Sequence, residues 1–302
     1  MKINDILSFS KNINGDIFFD YNIKNLNWFN IGGNTKIFFR PENLNELIHF
    51  LKIYKNRGKI FILGAGSNIL MTDKTYDGVI IKLGKRFNNI SKLNENTIIA
   101  GGNVLDRKLS EYCEEHEISG LEFLSCIPGT IGGGIKMNSG CYNKEFKDIL
   151  VSIQALDFTG SLITIPANKI HFHYRGTNLD KKLIFLSGTF KGIKSEKSKI
   201  SNEIIRLKKI KSDTQPSKIK TSGSTFKNPV NSNNLKVWEI IRKSVPPDIQ
   251  FGDAMISDHH ANFFVNKKNA SFDDMNKLIT YVKDQVKEKY NINLELEVEI
   301  IN

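Results

Sequence analysis

Two glycine-rich loops hold the residues whose types and spacing most directly imply chemistry. From 120 to 140 the chain reads GLEFLSCIPGTIGGGIKMNSG, with five glycines and one proline inside residues 128–140. Gly132, Gly133 and Gly134 lie between β-branched Ile131 and Ile135. The triplet therefore reads as strand-flanked backbone, stripped of side chains where it presses against a flat or anionic ligand, and not as a flexible linker. The second loop, LGAGSNIL at 63–70, follows an apolar strand-like run at 60–63. It fails as a Rossmann fingerprint: no third glycine follows Gly64 and Gly66 at the required spacing, and the next residues read as strand, turn at Asp77-Gly78, strand, where a helix is needed. A phosphate-binding P-loop fails too, because Gly84-Lys85 is followed by Arg86 and lacks an earlier glycine at the right distance. What remains is a short turn rich in exposed amides, with Ser67 and Asn68 as added donors. Such a turn suits a pyrophosphate without a helix behind it.

Periodicity gives the elements that position these loops. Asn43 caps a helix in which Leu44, Leu47, Ile48, Leu51 and Tyr54 share one face, ended by Gly58. A second helix is expected over about 103–117, with Leu105, Leu109, Tyr112, Cys113 and His116 inward. Strands are expected at 149–158, 161–165 and 183–190, and a basic helix at about 194–211. Ser271 with Asp274 forms a capping box ahead of a helix that buries Met275, Leu278, Ile279, Val282 and Val286. No internal repeat is present. At 302 residues and 40% hydrophobic content, the chain has room for two or three packed units.

Composition excludes several function classes. The net charge of +11 comes mostly from lysine, 36 of 43 basic residues. Arginine, the residue of bidentate base contacts, is scarce, and residues 191–220 alone hold ten basic against three acidic side chains, as in a solvated helix. With no accompanying nucleic-acid motif, no nucleic-acid partner is expected. No stretch approaches the roughly 18 apolar residues of a membrane span, and the N-terminus lacks a signal-peptide core, so no membrane insertion and a cytoplasmic location are expected. Cys113, Cys126 and Cys141 make an odd set without metal or disulfide spacing. His171, His173, His259 and His260 lack a third ligand at recognisable spacing, so no metal is expected.

Taken together, these segments identify a resemblance that covers nearly the whole chain. WFNIGG at 28–33, LGAGSNIL at 63–70, GLEFLSCIPGTIGGGIKMNSGCY at 120–142, YR at 174–175, QP at 215–216, GSTFKNP at 223–229, HANFFVN at 260–266 and LELEV at 294–298 occur in the order found in the UDP-N-acetylenolpyruvoylglucosamine reductases. These are the MurB flavoenzymes of peptidoglycan precursor synthesis. The resemblance implies an α+β fold: a two-part FAD-binding domain of the vanillyl-alcohol oxidase (PCMH) type and a smaller C-terminal α+β substrate-binding domain. The expected division is an N-terminal segment at 1–22, the FAD-binding domain at 23–205 (parts at about 23–83 and 84–205), and the substrate-binding domain at 206–302. The short run from HANFFVN to the C-terminus fits the subclass with a shorter substrate domain. Implied ligands are FAD, NADPH as reductant and UDP-N-acetylglucosamine enolpyruvate, both of the last two drawn by the positive field; the implied oligomeric state is a monomer.

Reduction of an enolpyruvyl ether needs a hydride that no side chain supplies, a cation for the charge developing toward the carboxylate, and a proton donor. The resemblance nominates Arg175, Ser224 and Glu297. In HFHYR, alternation sets His171, His173 and Arg175 on one strand face, where the commoner fate of an arginine is an exposed edge. Ser224 otherwise reads as a turn serine satisfied by the backbone. In residues 291–300 alternation buries Leu294, Leu296, Val298 and Ile300 and leaves Glu295, Glu297 and Glu299 equivalent in water; the family motif selects Glu297. Gly64, Ala65, Gly66, Ser67 and Asn68 carry over as pyrophosphate contacts. Pro128, Gly129, Thr130, Ile131, Gly132, Gly133 and Asn138 carry over as flavin and phosphate contacts, and Tyr174, Lys227 and Asn228 as substrate contacts. The chain departs from the family pattern at Asn30, Cys141, Asn143, Gly176 and Leu296. Another flavoprotein of the same superfamily, or a basic binding protein without catalysis, are the alternatives.

Overall fold

The computed structural model describes residues 3–55, 57–229 and 235–302. Its elements separate into two compact units that interleave along the chain. The first comprises residues 1–19, 36–65 and 77–210; the second comprises 20–35, 66–76 and 211–302.

The first unit is built on two sheets. One orders its strands Asp16–Asn22, Asn34–Arg40, Tyr76–Ile81 and Lys59–Ile62, the last two parallel with Lys59 opposite Gly78. Parallel pairing buries strands on both faces, and Val79, Ile80 and Ile81 are all inaccessible to solvent. Asp77 and Gly78 therefore lie inside a strand; the reversal expected there falls earlier, at Asp73 and Lys74, where the Lys74 amide donates to Thr72 Oγ1 at 3.2 Å. The helix Leu44–Tyr54 starts on Asn43, whose side chain accepts from the Glu46 amide at 3.0 Å, and stops at Lys55 in a left-handed conformation, before Gly58 is reached. Its Phe50 ring stacks on Phe39 at 4.3 Å between centroids.

The second sheet is antiparallel and ordered Leu162–Pro166, Leu150–Asp157, Leu183–Lys191, Thr97–Gly101, Ile90–Asn94. Against it pack the helix Asp106–Glu115, shorter at both ends than the sequence suggests, and a short helix Ile131–Met137. That second helix corrects the strand-flanked reading of the glycine triplet. Thr130 caps it, with its Oγ1 accepting from the Gly133 amide at 3.4 Å. Gly134 is glycine because any side chain there would drive into the buried Phe146 ring, and a Cβ on Gly132 would stand 3.1 Å from the Gly102 carbonyl. Two of the three glycines thus answer to packing. The basic helix spans Lys197–Thr214; it buries Ile200, Ile204 and Leu207 and exposes Lys197, Lys199, Lys208 and Lys209.

The second unit packs the helices Val237–Ser244 and Phe272–Tyr290 with the antiparallel strands Gln250–Phe251, Ala254–Ile256 and Phe264–Asn266. A parallel pair joins Glu299–Ile301 to Ile69–Met71. The long helix buries Met275, Leu278, Ile279, Val282 and Val286, as its pattern requires. No helix among the described residues is long and apolar enough to cross a membrane.

Ser271 and Asp274 close the capping box: Ser271 Oγ accepts from the Asp274 amide at 3.0 Å, and the Asp274 carboxylate accepts from the Ser271 amide at 2.9 Å. Ser271→Ala is expected to cost about 1 kcal/mol, read as a lower urea midpoint at unchanged slope; an unchanged midpoint would contradict the capping role.

Candidate active site

In the first unit the two glycine-rich loops come together. A Cβ on Gly64 would sit 2.7 Å from Thr130 Oγ1, so a side chain at residue 64 would force the loops apart. Residues 129–132 are stitched to the segment 102–106 by three backbone hydrogen bonds: Asp106 donates to Gly129 at 3.1 Å, Ile131 to Val104 at 2.9 Å and Gly132 to Gly102 at 2.9 Å. Those bonds commit the Ile131 and Gly132 amides. The amides of Gly64, Ala65 and Thr130 have no hydrogen-bond partner among the described residues. Beside them opens a cavity of about 590 Å³ whose lining includes Ala65, Thr130, Lys82, Asn103 and Tyr112. Unengaged amides at a glycine turn, next to a lysine, fit an anionic diphosphate.

The remaining residues expected near the flavin have mixed placements. Pro128 is exposed, whereas Ile131 is buried in the core. Asn138 is wholly buried in a left-handed conformation. Its amide donates to Glu145 Oε2 at 3.0 Å and to the His173 carbonyl at 3.2 Å, and its Oδ1 accepts from the Lys147 amide at 3.0 Å. Asn138 thereby holds the hairpin formed by Phe172–His173 and Gly176–Thr177. Arg175 is not on a strand face as alternation suggests: with Tyr174 it forms the two-residue tip of that hairpin, at φ 57°. Its guanidinium donates to the Gly140 carbonyl at 3.1 Å and lies 4.9 Å from the centre of the exposed Tyr174 ring. A cation held from two sides is well placed to meet a carboxylate.

Ser224, Lys227, Asn228 and Glu297 all belong to the second unit. There GSTF runs between HANFF and LELEV: Ser224 bridges to Phe263, and Phe226 to Leu296. Buried Asn262 zips one side, donating from Nδ2 to the Phe226 carbonyl at 2.8 Å and accepting at Oδ1 from the Phe226 amide at 3.0 Å. On the other side the Glu297 amide donates to the Thr225 carbonyl at 2.9 Å. The strand expected over 291–300 is reduced to Glu299–Ile301, because the chain bends at Glu297 and Val298 where both amides turn to Thr225. The bend breaks the equivalence of the three glutamates. Glu295 is exposed and pairs with Lys227 Nζ at 3.5 Å, while Glu297 is half-buried.

Ser224 Oγ is half-buried and makes no hydrogen bond among the described residues, unlike a backbone-satisfied turn serine. Asn228 Oδ1 accepts from the Val237 amide at 3.0 Å and so fixes the start of the helix Val237–Ser244. Gly66, Ser67 and Asn68 also fall in this unit. Gly66, at φ 68°, lies against the Leu26 carbonyl, and Asn68 Nδ2 donates to the Glu297 carbonyl at 2.9 Å. Asn68 therefore positions the glutamate segment whatever else it touches. No group of three or more His, Cys, Asp or Glu suited to a metal ion occurs among the described residues.

Three residues that sequence reasoning passed over shape these sites: Lys82, Asp106 and Asn262. Only Asn262 carried a signal, its place in HANFFVN. Asp106 is inaccessible to solvent, neither of its carboxyl oxygens has a hydrogen-bond partner among the described residues, and a Cβ on Gly129 would approach its Oδ2 to 2.5 Å. Burial raises its pKa well above the usual carboxylate value, only partly opposed by the nearby Gly129 amide, and so favours the neutral acid beneath the loop. A raised folded-state pKa gives stability that is fully present below the unfolded value, near 4, and lost as pH rises. Asp106→Asn removes that titration, so its melting temperature relative to the parent protein should climb from pH 4 to pH 8; parallel curves would contradict the neutral acid.

Known proteins share the sequence and fold of this chain. A family model described as "UDP-N-acetylenolpyruvoylglucosamine reductase, C-terminal domain" matches residues 215–301, and an "FAD binding domain" model matches residues 35–166. The chain is 58% identical over 301 residues to the UDP-N-acetylenolpyruvoylglucosamine reductase of Pelagibacter ubique, covering 100% of both chains. It is 43% identical to that of Rickettsia typhi, covering 96% of this chain and 97% of the relative. Among solved structures, the UDP-N-acetylenolpyruvylglucosamine reductase of Thermus caldophilus superposes with a TM-score of 0.80 at 25% identity, over 96% of this chain and 100% of that one. With an α+β fold, an FAD-binding domain and the matching C-terminal domain all present, the chain belongs to the UDP-N-acetylenolpyruvoylglucosamine reductase (MurB) family.

Proposed function

We propose that this protein is a cytoplasmic, monomeric oxidoreductase that uses NADPH, through FAD, to reduce UDP-N-acetylglucosamine enolpyruvate to UDP-N-acetylmuramate, a peptidoglycan precursor. Residues 23–205 would hold the flavin and residues 206–302 the nucleotide sugar. The observation that carries the reading is the unengaged, half-buried Ser224 hydroxyl on a segment hydrogen-bonded to that of Glu297. In a backbone-satisfied turn the hydroxyl would be spent; here it remains able to give its proton to a substrate.

When bound, FAD supplies the hydride that no side chain can. The protein's share is to hold the diphosphate at Gly64, Ala65 and Thr130, to orient the sugar, and to manage charge and proton. Arg175 supplies a guanidinium for the substrate carboxylate as charge develops there, a form of stabilisation that is strongest where the cation is fixed in advance. Its contact with Gly140 and its seat over Tyr174 provide that fixing. Ser224 is the proton donor. A lone serine is a weak acid, and Lys227, 26% exposed and held near Glu295, is the cation in the same segment that supports proton loss from the hydroxyl. Glu297 is the second acid, and Tyr174 and Asn228 are substrate contacts.

The test separates the two halves of the reaction. The purified protein should oxidise NADPH in stoichiometric step with consumption of the enolpyruvyl sugar. Ser224→Ala should leave reduction of the flavin by NADPH intact and slow the sugar-dependent step by about a hundredfold to ten-thousandfold. Parent-like rates in both steps would remove Ser224 from the reaction; NADPH oxidation that ignores the sugar would point to another flavoenzyme.

A further inference from the structure

One charged side chain stands beside the cavity lined by Ala65 and Thr130 and is not spent on an ion pair among the described residues. Lys82 follows the strand Tyr76–Ile81, is half-buried, and donates from Nζ to the Gly64 carbonyl at 2.5 Å. That carbonyl is the only hydrogen-bond partner of Nζ among the described residues, and no carboxylate there lies within ion-pair distance of it. Loss of water and the like charge of Arg40 both work against its ammonium form and lower its pKa. A cation withdrawn from water costs free energy unless an opposite charge compensates it, and one carbonyl dipole is weak compensation.

Other residues of the cavity show what compensation is missing. Lys108 is a second lysine in the lining, but it is already paired, with Glu111 Oε2 at 2.7 Å. Asp106, the acid under the neighbouring loop, is buried where its neutral form is favoured, and it makes no ion pair with Lys82. Around the same cavity stand the unengaged amides of Ala65 and Thr130, and the Thr130 hydroxyl. The lining also holds two carboxylates, Glu111, taken by Lys108, and the exposed Glu115, and neither pairs with Lys82; Lys82 and these donors together describe a built anion site in the first unit.

We propose that Lys82 is the cation that neutralises the diphosphate of the bound dinucleotide. The assignment rests on the FAD reading of this unit and adds to it a specific charged contact. Because the ammonium already holds the Gly64 carbonyl, it is pre-positioned at the turn and loses little freedom when the anion arrives.

The test uses the full-length protein stripped of flavin, with FAD and riboflavin titrated separately by flavin fluorescence. Riboflavin keeps the ring system and ribityl chain and lacks the diphosphate. Lys82→Met, which keeps the length of the side chain without its charge, should weaken FAD by about tenfold to a hundredfold, the worth of one charged hydrogen bond, and leave riboflavin unchanged. Circular dichroism and the melting temperature of the flavin-free variant check that the loop still folds. Equal weakening of both ligands would overturn the proposal in favour of a purely structural tie to Gly64, and so would unchanged FAD affinity. Failure of the parent protein itself to bind FAD would instead overturn the flavin reading, and the proposal with it.

Discussion

The flavin half of this protein depends on the three backbone hydrogen bonds that tie residues 129–132 to residues 102–106. Each contributes only about 1 kcal/mol net, but together they decide which amides are spent and which remain. Those of Ile131 and Gly132 go to the scaffold, and that of Thr130 is left for a ligand. The same constraint explains the composition of the loop. Gly132 must pass close to the Gly102 carbonyl, Gly134 must clear Phe146, and Gly64 must clear Thr130. Glycine here serves rigid packing, and the anion site is what the packing leaves over.

The second unit meets a comparable demand with a side chain. Asn262 satisfies both backbone groups of Phe226, so the GSTF segment is held on one edge by an amide and on the other by the Glu297 and Val298 N–H groups converging on Thr225. The Ser224 hydroxyl takes no part in this pairing and makes no hydrogen bond among the described residues. The pairing also bends the chain at Glu297, so a sequence that alternates like a strand places its glutamates in unlike surroundings. Thr225 Oγ1 is buried without a hydrogen-bond partner among the described residues, and nothing in the structure accounts for it.

Local signals were legible wherever local physics decided the outcome. Asn43 and the pair Ser271 and Asp274 announce helix starts because capping acts within four residues, and the apolar face of Phe272–Tyr290 follows from its period. The family motifs carried the fold and the cofactor class further than any periodicity could. Misreadings arose where distant contacts overrode local preference. β-branched Ile131 and Ile135 favour a strand, yet Thr130 capping and packing against the sheet make a helix. HFHYR alternates like a strand, yet the pairing of His173 with Gly176 turns Arg175 into a hairpin tip. Lys82 and Asp106 had no signal, since their character comes from burial and from neighbours 18 and 23 residues away, Gly64 and Gly129.

Transfer of reducing equivalents from a flavin in this protein to an enolpyruvyl sugar is visible by absorption under anaerobic conditions, with NADPH added first and UDP-N-acetylglucosamine enolpyruvate second. Flavin bands should bleach with the first addition and return with the second. Bands that stay bleached, or a protein with no flavin bands even after incubation with FAD, would contradict that transfer.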